Sequence, residues 1–242
     1  MKKIIIITLL FLSQISYSQH PFSGVVEYTI EPLESFNASG ITNDKNFDLN
    51  QKKELVEIFS KPAYFILEFT TNESLYKSKE QIMDSDSNKR AKLNFLQTFG
   101  GGASSVYYSD SNLKRSLAQK LSFGEVFLVT YHFPNWEVTT ESKKIGEFVC
   151  YKAIKKQKNS NSKATEVVWF TPEIPIQFGP ALYNGLPGLV LEVQVGKIRF
   201  IASKVKLNTE QIITIEKPTK GTKFTEEEYI KKMDDLANEL GF

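Results

Sequence analysis

The sequence predicts a mainly β fold of the α+β class: a single strongly curved or partly closed antiparallel sheet, with one or two helices packed against it. Two observations carry this prediction. Short runs rich in β-branched and aromatic residues recur along most of the 242 residues, and the links between them are short and polar. The last stretch changes to a helical spacing of apolar residues, which predicts a C-terminal helix.

The N-terminal third contains three predicted strands and one predicted helix. The stretch "FSGVVEYTIE" from Phe22 has strand composition, and "AYFILEFTTNESLYKS" from Ala63 divides at the turn signal of Asn72, as in a hairpin. Between them, the segment from Asn43 spaces its apolar residues loosely like a helix, which Pro62 would end.

Further strand-like runs follow a polar stretch and extend through most of the remaining chain. The links between most of them are too short for crossover helices, so neighbouring strands are expected to be antiparallel. These runs cover residues 105–109, 125–133, 136–141, 147–156, 165–171, 189–195 and 197–207.

The C-terminal stretch "TEEEYIKKMDDLANELGF" predicts an amphipathic helix. Thr225 stands three residues before Glu228, which is the spacing of a capping box. The apolar residues that follow recur at helical intervals and predict one face packed on the sheet. They are Tyr229, Ile230, Met233, Leu236, Ala237 and Leu240.

The first eighteen residues are typical of a secretory signal peptide. Two lysines precede an apolar run over residues 4–12, and small residues, Ser16 and Ser18, stand where signal peptidase requires them. A retained membrane anchor is the alternative, but the apolar run is about half the roughly 20 residues that a spanning helix needs. Cleavage would leave Gln19 at the N-terminus, without the cysteine that lipidation requires. We therefore expect an exported, soluble, unlipidated protein in the periplasm or outside the cell.

Composition favours one domain over residues 19–242 that depends on an ordinary core. The chain has one cysteine, so it forms no internal disulfide. Lys and Arg number 30 against 28 Asp and Glu, and the two lysines of the predicted signal account for the excess. This balance gives no indication of nucleic-acid binding. No second apolar span follows the signal, so no transmembrane segment is expected after cleavage.

Candidate catalytic residues are few. Among the 2 histidines, His132 is the plausible general base, and Cys150 is the one thiol. Both lie in strand-like runs, where packing roles are the simpler interpretation. A hydrolase that uses His132 with Cys150 or a serine remains an alternative, although no nucleophile-elbow motif accompanies it. No spacing typical of metal ligands occurs, so we predict no catalytic residues, no metal and no cofactor.

The stretch "YNGLPGLVLEV", residues 183–193, is the most distinctive of the chain. Pro187 favours the second position of a type II turn and Gly188 the third, where φ is positive. Gly185 would then permit a close approach of the chain. This loop is predicted to be either a rigid corner or a small anion nest or docking knuckle.

At these residues the sequence resembles the GLPGLI family of secreted Bacteroidetes proteins. The resemblance also includes "KIGEFVCYKA", "VVWFTPEIPI" and the Gly-Pro pair at 179–180, within roughly residues 136–206. Val190 replaces the isoleucine of the family name, and Phe170 stands where tyrosine is expected. The resemblance implies export and a largely β fold, but it implies no activity and no catalytic residues.

The function predicted from these observations is that of a non-enzymatic binding protein of the cell envelope, holding an apolar or peptide-like ligand on the curved sheet. The alternative partner is an envelope protein, bound beside an outer-membrane assembly. Aromatic side chains and the loop supply the candidate ligand- or partner-binding residues. These are Tyr131, Trp136, Trp169, Tyr183, Gly185, Leu186, Pro187 and Gly188.

Overall fold

The computed structural model describes residues 22–33, 48–50, 62–79, 97–98, 100–102, 104–155, 166–208 and 212–240. Within them lies one sheet of twelve strands and a C-terminal helix, which confirms the predicted fold class. The predicted signal peptide lies outside the described residues, and so does nearly all of the helix predicted between the first two strands.

The strands form two antiparallel meanders that meet side by side. The first meander runs from β1 to β6 and the second from β7 to β11, and β1 pairs with β11 between them. The elements are β1 (Gly24–Pro32), β2 (Ala63–Phe69), β3 (Glu73–Ser78), β4 (Val106–Asp110), β5 (Arg115–Ser122), β6 (Glu125–His132), β7 (Trp136–Ile145), β8 (Phe148–Lys155), β9 (Glu166–Thr171), β10 (Leu189–Val195), β11 (Ile198–Leu207), β12 (Thr222–Thr225) and α1 (Glu226–Leu240).

The alternation of side chains in β1 explains its central position. Val26, Tyr28 and Ile30 are fully buried, and the residues between them are partly exposed. A period of two is that of a strand with one face on the core. The hydroxyl of Tyr28 donates to the carbonyl of Val190 at 2.5 Å, so this buried polar atom also links the two meanders.

The link between β6 and β7 requires the sheet to curve strongly. In the order β12-β6-β5-β4-β3-β2-β1-β11-β10-β9-β8-β7, the strands β6 and β7 stand ten intervals apart. A flat sheet would separate them by about 48 Å. The chain covers the gap between His132 and Trp136 with three residues, which span at most about 14 Å. The two ends of the sheet therefore approach each other, although no strand pairing among the described residues joins them.

The connection between β9 and β10, residues 172–188, is named here the GLPG loop. It is part of the hydrophobic core, because Ile174, Ile176, Phe178 and Leu186 are each at most 1% exposed and pack in the same cluster as the strands. The core is therefore built from the sheet and this loop together.

Helix α1 begins with the predicted capping box. The backbone N–H of Thr225 donates to the Glu228 carboxylate at 2.8 Å, and the Glu228 N–H donates to the Thr225 hydroxyl at 3.3 Å. The Thr225 hydroxyl also donates to the Glu228 carboxylate, at 2.9 Å, and the two hydrogen bonds that this carboxylate accepts from Thr225 lower the pKa of Glu228. The helix packs through Tyr229, whose ring centroid lies 5.5 Å from that of Phe127 on β6.

Two strands of the structure were not predicted. β5 has the sequence RSLAQKLS, with no β-branched or aromatic residue, and it is held between β4 and β6 by pairing on both sides. β12 has four residues and pairs with β6 in parallel, whereas consecutive strands that pair across short links, such as β7 and β8, are antiparallel as predicted. The link of about ninety residues between β6 and β12 permits the parallel arrangement.

Candidate functional site

A cleft of about 380 Å³ opens where the two ends of the sheet approach each other. It contains four of the eight predicted binding residues: Trp136, Gly185, Leu186 and Pro187. Its walls come from the end of β6, the link to β7, the start of β7, the β4–β5 turn and the GLPG loop. The full lining is Lys114, His132, Phe133, Pro134, Asn135, Trp136, Val138, Gln177, Gly185, Leu186 and Pro187.

Backbone hydrogen bonds hold these walls together. The N–H of Phe133 donates to the carbonyl of Lys114 at 3.1 Å, which fixes the β6–β7 link to the β4–β5 turn. The N–H of Gly185 donates to the carbonyl of Gln177 at 2.9 Å, which folds the GLPG loop back on itself. The cleft is thus built on the sheet and on a loop that is anchored in the core.

Trp136 forms one wall and is fixed in orientation. Its indole N–H donates to the carbonyl of Asn184 at 2.8 Å. Behind it lies Tyr183, with ring centroids 6.3 Å apart, and Tyr183 packs in turn on Phe200 at 6.0 Å. Burial raises the pKa of the Tyr183 hydroxyl, so this side chain stays neutral. Tyr183 therefore supports the wall from behind and is not among the lining residues.

Asn184 anchors the GLPG loop, although it is not among the predicted binding residues. Its side chain is fully buried and makes four hydrogen bonds. The two N–H groups of the amide are shared among three acceptors: the hydroxyls of Ser109 on β4 and Ser116 on β5 at 3.0 and 3.2 Å, and the carbonyl of Ala181 at 3.2 Å. The amide oxygen accepts from the N–H of Gly179 at 3.0 Å. The loop is therefore linked to the opposite meander through one side chain.

The predicted roles of the two glycines are exchanged. Gly185 has the positive φ, +93°, whereas Gly188 does not. Gly188 instead lies against β9, since a Cβ there would stand 2.1 Å from the carbonyl oxygen of Thr171. The N–H of Gly188 donates to the carbonyl of Leu186 at 2.8 Å, which closes a three-residue γ-turn around Pro187. The predicted type II turn is wrong, because close packing on β9 restricts position 188.

Tyr131 is outside the cleft lining. It is buried, and its hydroxyl accepts from the ammonium of Lys120 at 2.9 Å. The rings of Tyr131 and Tyr229 lie 5.1 and 5.0 Å from that ammonium, and burial lowers the pKa of Lys120. This arrangement holds helix α1 on β5 and β6.

Trp169 is also outside the cleft lining. The ammonium of Lys143 lies 4.3 Å from the centre of its ring and 2.8 Å from the carboxylate of Glu192. Glu192 is 3% exposed, so the lysine and the side chain of Gln194 supply the partners that a buried carboxylate needs. The structure therefore gives Trp169 a cross-strand contact with a polar cluster.

The two candidate catalytic residues do not belong to the same site. His132 is exposed and lines the cleft, whereas Cys150 is fully buried on β8 and is not among the lining residues. Burial raises the pKa of the Cys150 thiol to about 11, which disfavours the nucleophilic thiolate. The lining residues include no serine, threonine, cysteine or carboxylate to act with His132.

Within the described ranges, no group of three or more His, Cys, Asp or Glu residues is placed to hold a metal ion. Of the helical residues described, none forms a segment with the length and apolarity needed to cross a membrane.

Comparison with known proteins confirms the resemblance over part of the chain. Residues 155–192 match a family model described as "Protein of unknown function (Porph_ging)", the GLPGLI family of Bacteroidetes. The matched segment includes β9, the GLPG loop and most of β10. The chain matches no curated protein.

Two solved structures share the fold. They are entitled "Structure of PNGF-II in C2 space group" and "Structure of PNGF-II in P21 space group", with TM-scores of 0.53 and 0.52 and identities of 16% and 17%. The alignments cover 87% and 86% of this chain and 32% of each of those chains. This chain thus corresponds to about a third of their length, and at such identities the likeness concerns the fold.

Proposed function

We propose that the protein is an exported, non-enzymatic binding protein of the cell envelope whose cleft holds an apolar ligand. The convergence of Trp136, Leu186 and Pro187 on one cleft carries the proposal, because they come from two separated segments of the chain. A volume of about 380 Å³ lies in the range of about 300–1,000 Å³ typical of small-molecule sites.

The core packing favours the cleft, and not the concave face of the sheet, as the binding site. The side chains of Ile174, Ile176 and Phe178 pack in the core cluster together with the strands. Tyr131 and Trp169 have polar partners of their own. The ligand therefore belongs at the opening where the sheet ends meet.

A hydrolytic role has less support. His132 is exposed at the cleft, but a general base needs a nucleophile or a water-positioning group within hydrogen-bond reach. The lining residues offer the amides of Asn135 and Gln177, which donate and accept hydrogen bonds without serving as nucleophiles.

The proposal is tested with the neutral fluorescent probe N-phenyl-1-naphthylamine. Val138 lines the cleft and is 49% exposed, so Val138→Gln is expected to weaken probe binding up to about tenfold without unfolding the protein. Val126 is 38% exposed at the far end of β6, and Val126→Gln is the matched control. Equal affinities of both variants and the unsubstituted protein would contradict binding in this cleft.

Native mass spectrometry of protein purified from its own cell envelope is expected to show a co-purifying small molecule.

A further inference from the structure

The charges around the cleft are unbalanced. Lys114 and His132 are exposed residues of the lining, and the lining contains no Asp or Glu. Among the described residues, no carboxylate lies within salt-bridge distance of Lys114. A cleft with apolar walls and a cation without a counter-ion is complementary to a ligand that carries one negative charge.

Arg115 reinforces this imbalance only in part. It stands directly opposite His132 in the β5–β6 register and opposite Asp110 in the β4–β5 register. Asp110 and Arg115 are thus an opposite-charge pair across the strands, and Arg115 is not among the lining residues of the cleft. Lys114 is then the cation that remains available to a ligand.

The backbone of Lys114 is strained, as is that of Phe123, but of the two only Lys114 lines the cleft. Lys114 has φ +50°, a left-handed conformation that glycine adopts readily and that lysine adopts at a cost. It is exposed, so burial of its side chain does not offset the cost. The turn is already stabilised by Asp110, whose carboxylate accepts from the N–H groups of Asn112 and Leu113 at 2.9 and 3.1 Å. Strain of this kind is often found at functional sites.

Two amides complete the polar part of the lining. Asn135 and Gln177 are exposed, and their side-chain NH₂ groups are donors suited to carboxylate oxygens. The apolar part consists of Phe133, Pro134, Trp136, Val138, Leu186 and Pro187. A ligand that satisfies both parts has an apolar body and one carboxylate group.

We propose that the cleft binds an apolar monocarboxylate, with the carboxylate held by Lys114 and the apolar body packed on Trp136 and Val138. This inference rests on the proposed function and specifies its ligand. A neutral or cationic molecule of the same shape forgoes the interaction with Lys114, so the cleft discriminates by charge.

The test measures binding of octanoate, octan-1-ol and octylammonium by isothermal titration calorimetry with the full protein. These probes share one chain length and differ in charge. Octanoate is expected to bind about fivefold more tightly than octan-1-ol, as is typical of an exposed ion pair, and octylammonium is expected to bind most weakly. The preference should decrease at high salt.

Variants at Lys114 test whether this residue causes the preference for octanoate over octan-1-ol. Lys114→Gly is expected to remove it while the melting temperature stays equal or rises, because glycine relieves the strained φ. Lys114→Arg should retain it, and Lys114→Gln should remove it if the glycine variant does not fold. Phe123 has the same φ of +50° at the tip of the β5–β6 hairpin and is not in the lining, so Phe123→Gly is the matched control for strain and should keep the preference.

The outcomes separate this inference from the proposed function. Equal binding of octanoate and octan-1-ol, or a preference that persists in Lys114→Gly, would overturn the monocarboxylate and leave an apolar binding site. Failure of all three probes together with N-phenyl-1-naphthylamine to bind would overturn the proposed function as well.

Discussion

Asn184 makes the GLPG loop dependent on the opposite meander. Its side chain satisfies Gly179, Ser109 and Ser116 at once, and the backbone carbonyl of the same residue orients Trp136. Removing the amide takes away the acceptor of the buried Gly179 N–H, and an unpaired buried group costs about 1–3 kcal/mol, whereas the hydroxyls of Ser109 and Ser116 keep their mutual hydrogen bond at 2.9 Å. The position of the cleft wall and the stability of the core therefore depend on the same residue.

Asn184→Leu is expected to lower the free energy of unfolding by about 2–4 kcal/mol, because the shape is nearly kept while the hydrogen bonds are lost. Urea denaturation measures this value. Ser109→Ala combined with Asn184→Leu should be much less than additive, since the two residues share one hydrogen bond. An additive double variant would contradict the coupling.

The two glycines of the loop are expected to respond differently to substitution. Gly188→Ala should cost about 3 kcal/mol, since the new Cβ overlaps the Thr171 carbonyl. Gly185→Ala should cost about 1–2 kcal/mol, because its φ of +93° disfavours a side chain. Because asparagine tolerates positive φ, Gly185→Asn should cost less stability than Gly185→Ala. At position 188, where φ is not positive, Gly188→Asn should cost no less than Gly188→Ala. The reverse order of costs in denaturant unfolding would contradict these roles.

Cys150 should make the free energy of unfolding depend on pH, and a substitution at this position can isolate its contribution. Burial raises its pKa from an ordinary 9.0 to about 11 in the folded protein. Its contribution to stability is therefore complete below about pH 9 and is lost as the pH rises towards 11, by an amount on the order of 2 kcal/mol. Cys150→Ala should show a smaller fall in the free energy of unfolding over this window than the unsubstituted protein. Identical pH profiles would show that the thiol is not the group that titrates.

At the residue scale, the sequence predicted core packing more successfully than it predicted hydrogen-bond partners. The strand-like run around Cys150 favoured a packing role for this residue, and Cys150 is fully buried, because strand composition is a local property. The role of Asn184 was not accessible in the same way, since Ser109 and Ser116 are 75 and 68 residues away along the chain. The exchange of roles between Gly185 and Gly188 has the same cause, because Thr171 restricts position 188 through the fold.

At the scale of elements, strands with strong local signals were predicted and those held by neighbours were not. β10 was predicted with the bounds that the structure has, whereas β5 was missed. β5 has few residues that favour a strand, and its pairing with β4 and β6 determines its conformation. The cleft could not be predicted either, since it depends on the approach of two strands that are distant in the sheet.

Helix α1 is the element whose start signal can be tested directly. Thr225→Ala removes the capping hydroxyl and should lower the free energy of unfolding by about 1 kcal/mol. Thermal unfolding followed by circular dichroism measures the loss, with Thr222→Ala as a control on the same strand. A loss of equal size at both positions would argue against capping. Octanoate binding should be unchanged, because neither residue lines the cleft.

At the scale of the whole molecule, export and domain organisation remain predictions. The protein recovered from outside the cytoplasm is expected to begin at Gln19 and to carry no acyl chain, because Ser16 and Ser18 suit the peptidase and the residue after the cleavage site is not a cysteine. Intact-mass analysis checks both points, and retention of residues 1–18 would contradict them. The continuous sheet also favours a single cooperative calorimetric transition for residues 19–242.

The pairing of β1 with β11 has a consequence for how the chain folds. Val26 on β1 faces Val205 on β11, so the first described strand obtains one of its two neighbours only after nearly the whole chain has emerged. Contacts between such distant parts of a sequence slow folding, because the ordering of the intervening chain precedes their formation. The two meanders can each form from local contacts, and the pairing of β1 with β11 then joins them in a later step. A chain that crosses a membrane in extended form would thus complete its central strand pair only after passage, when both of its ends are on the same side.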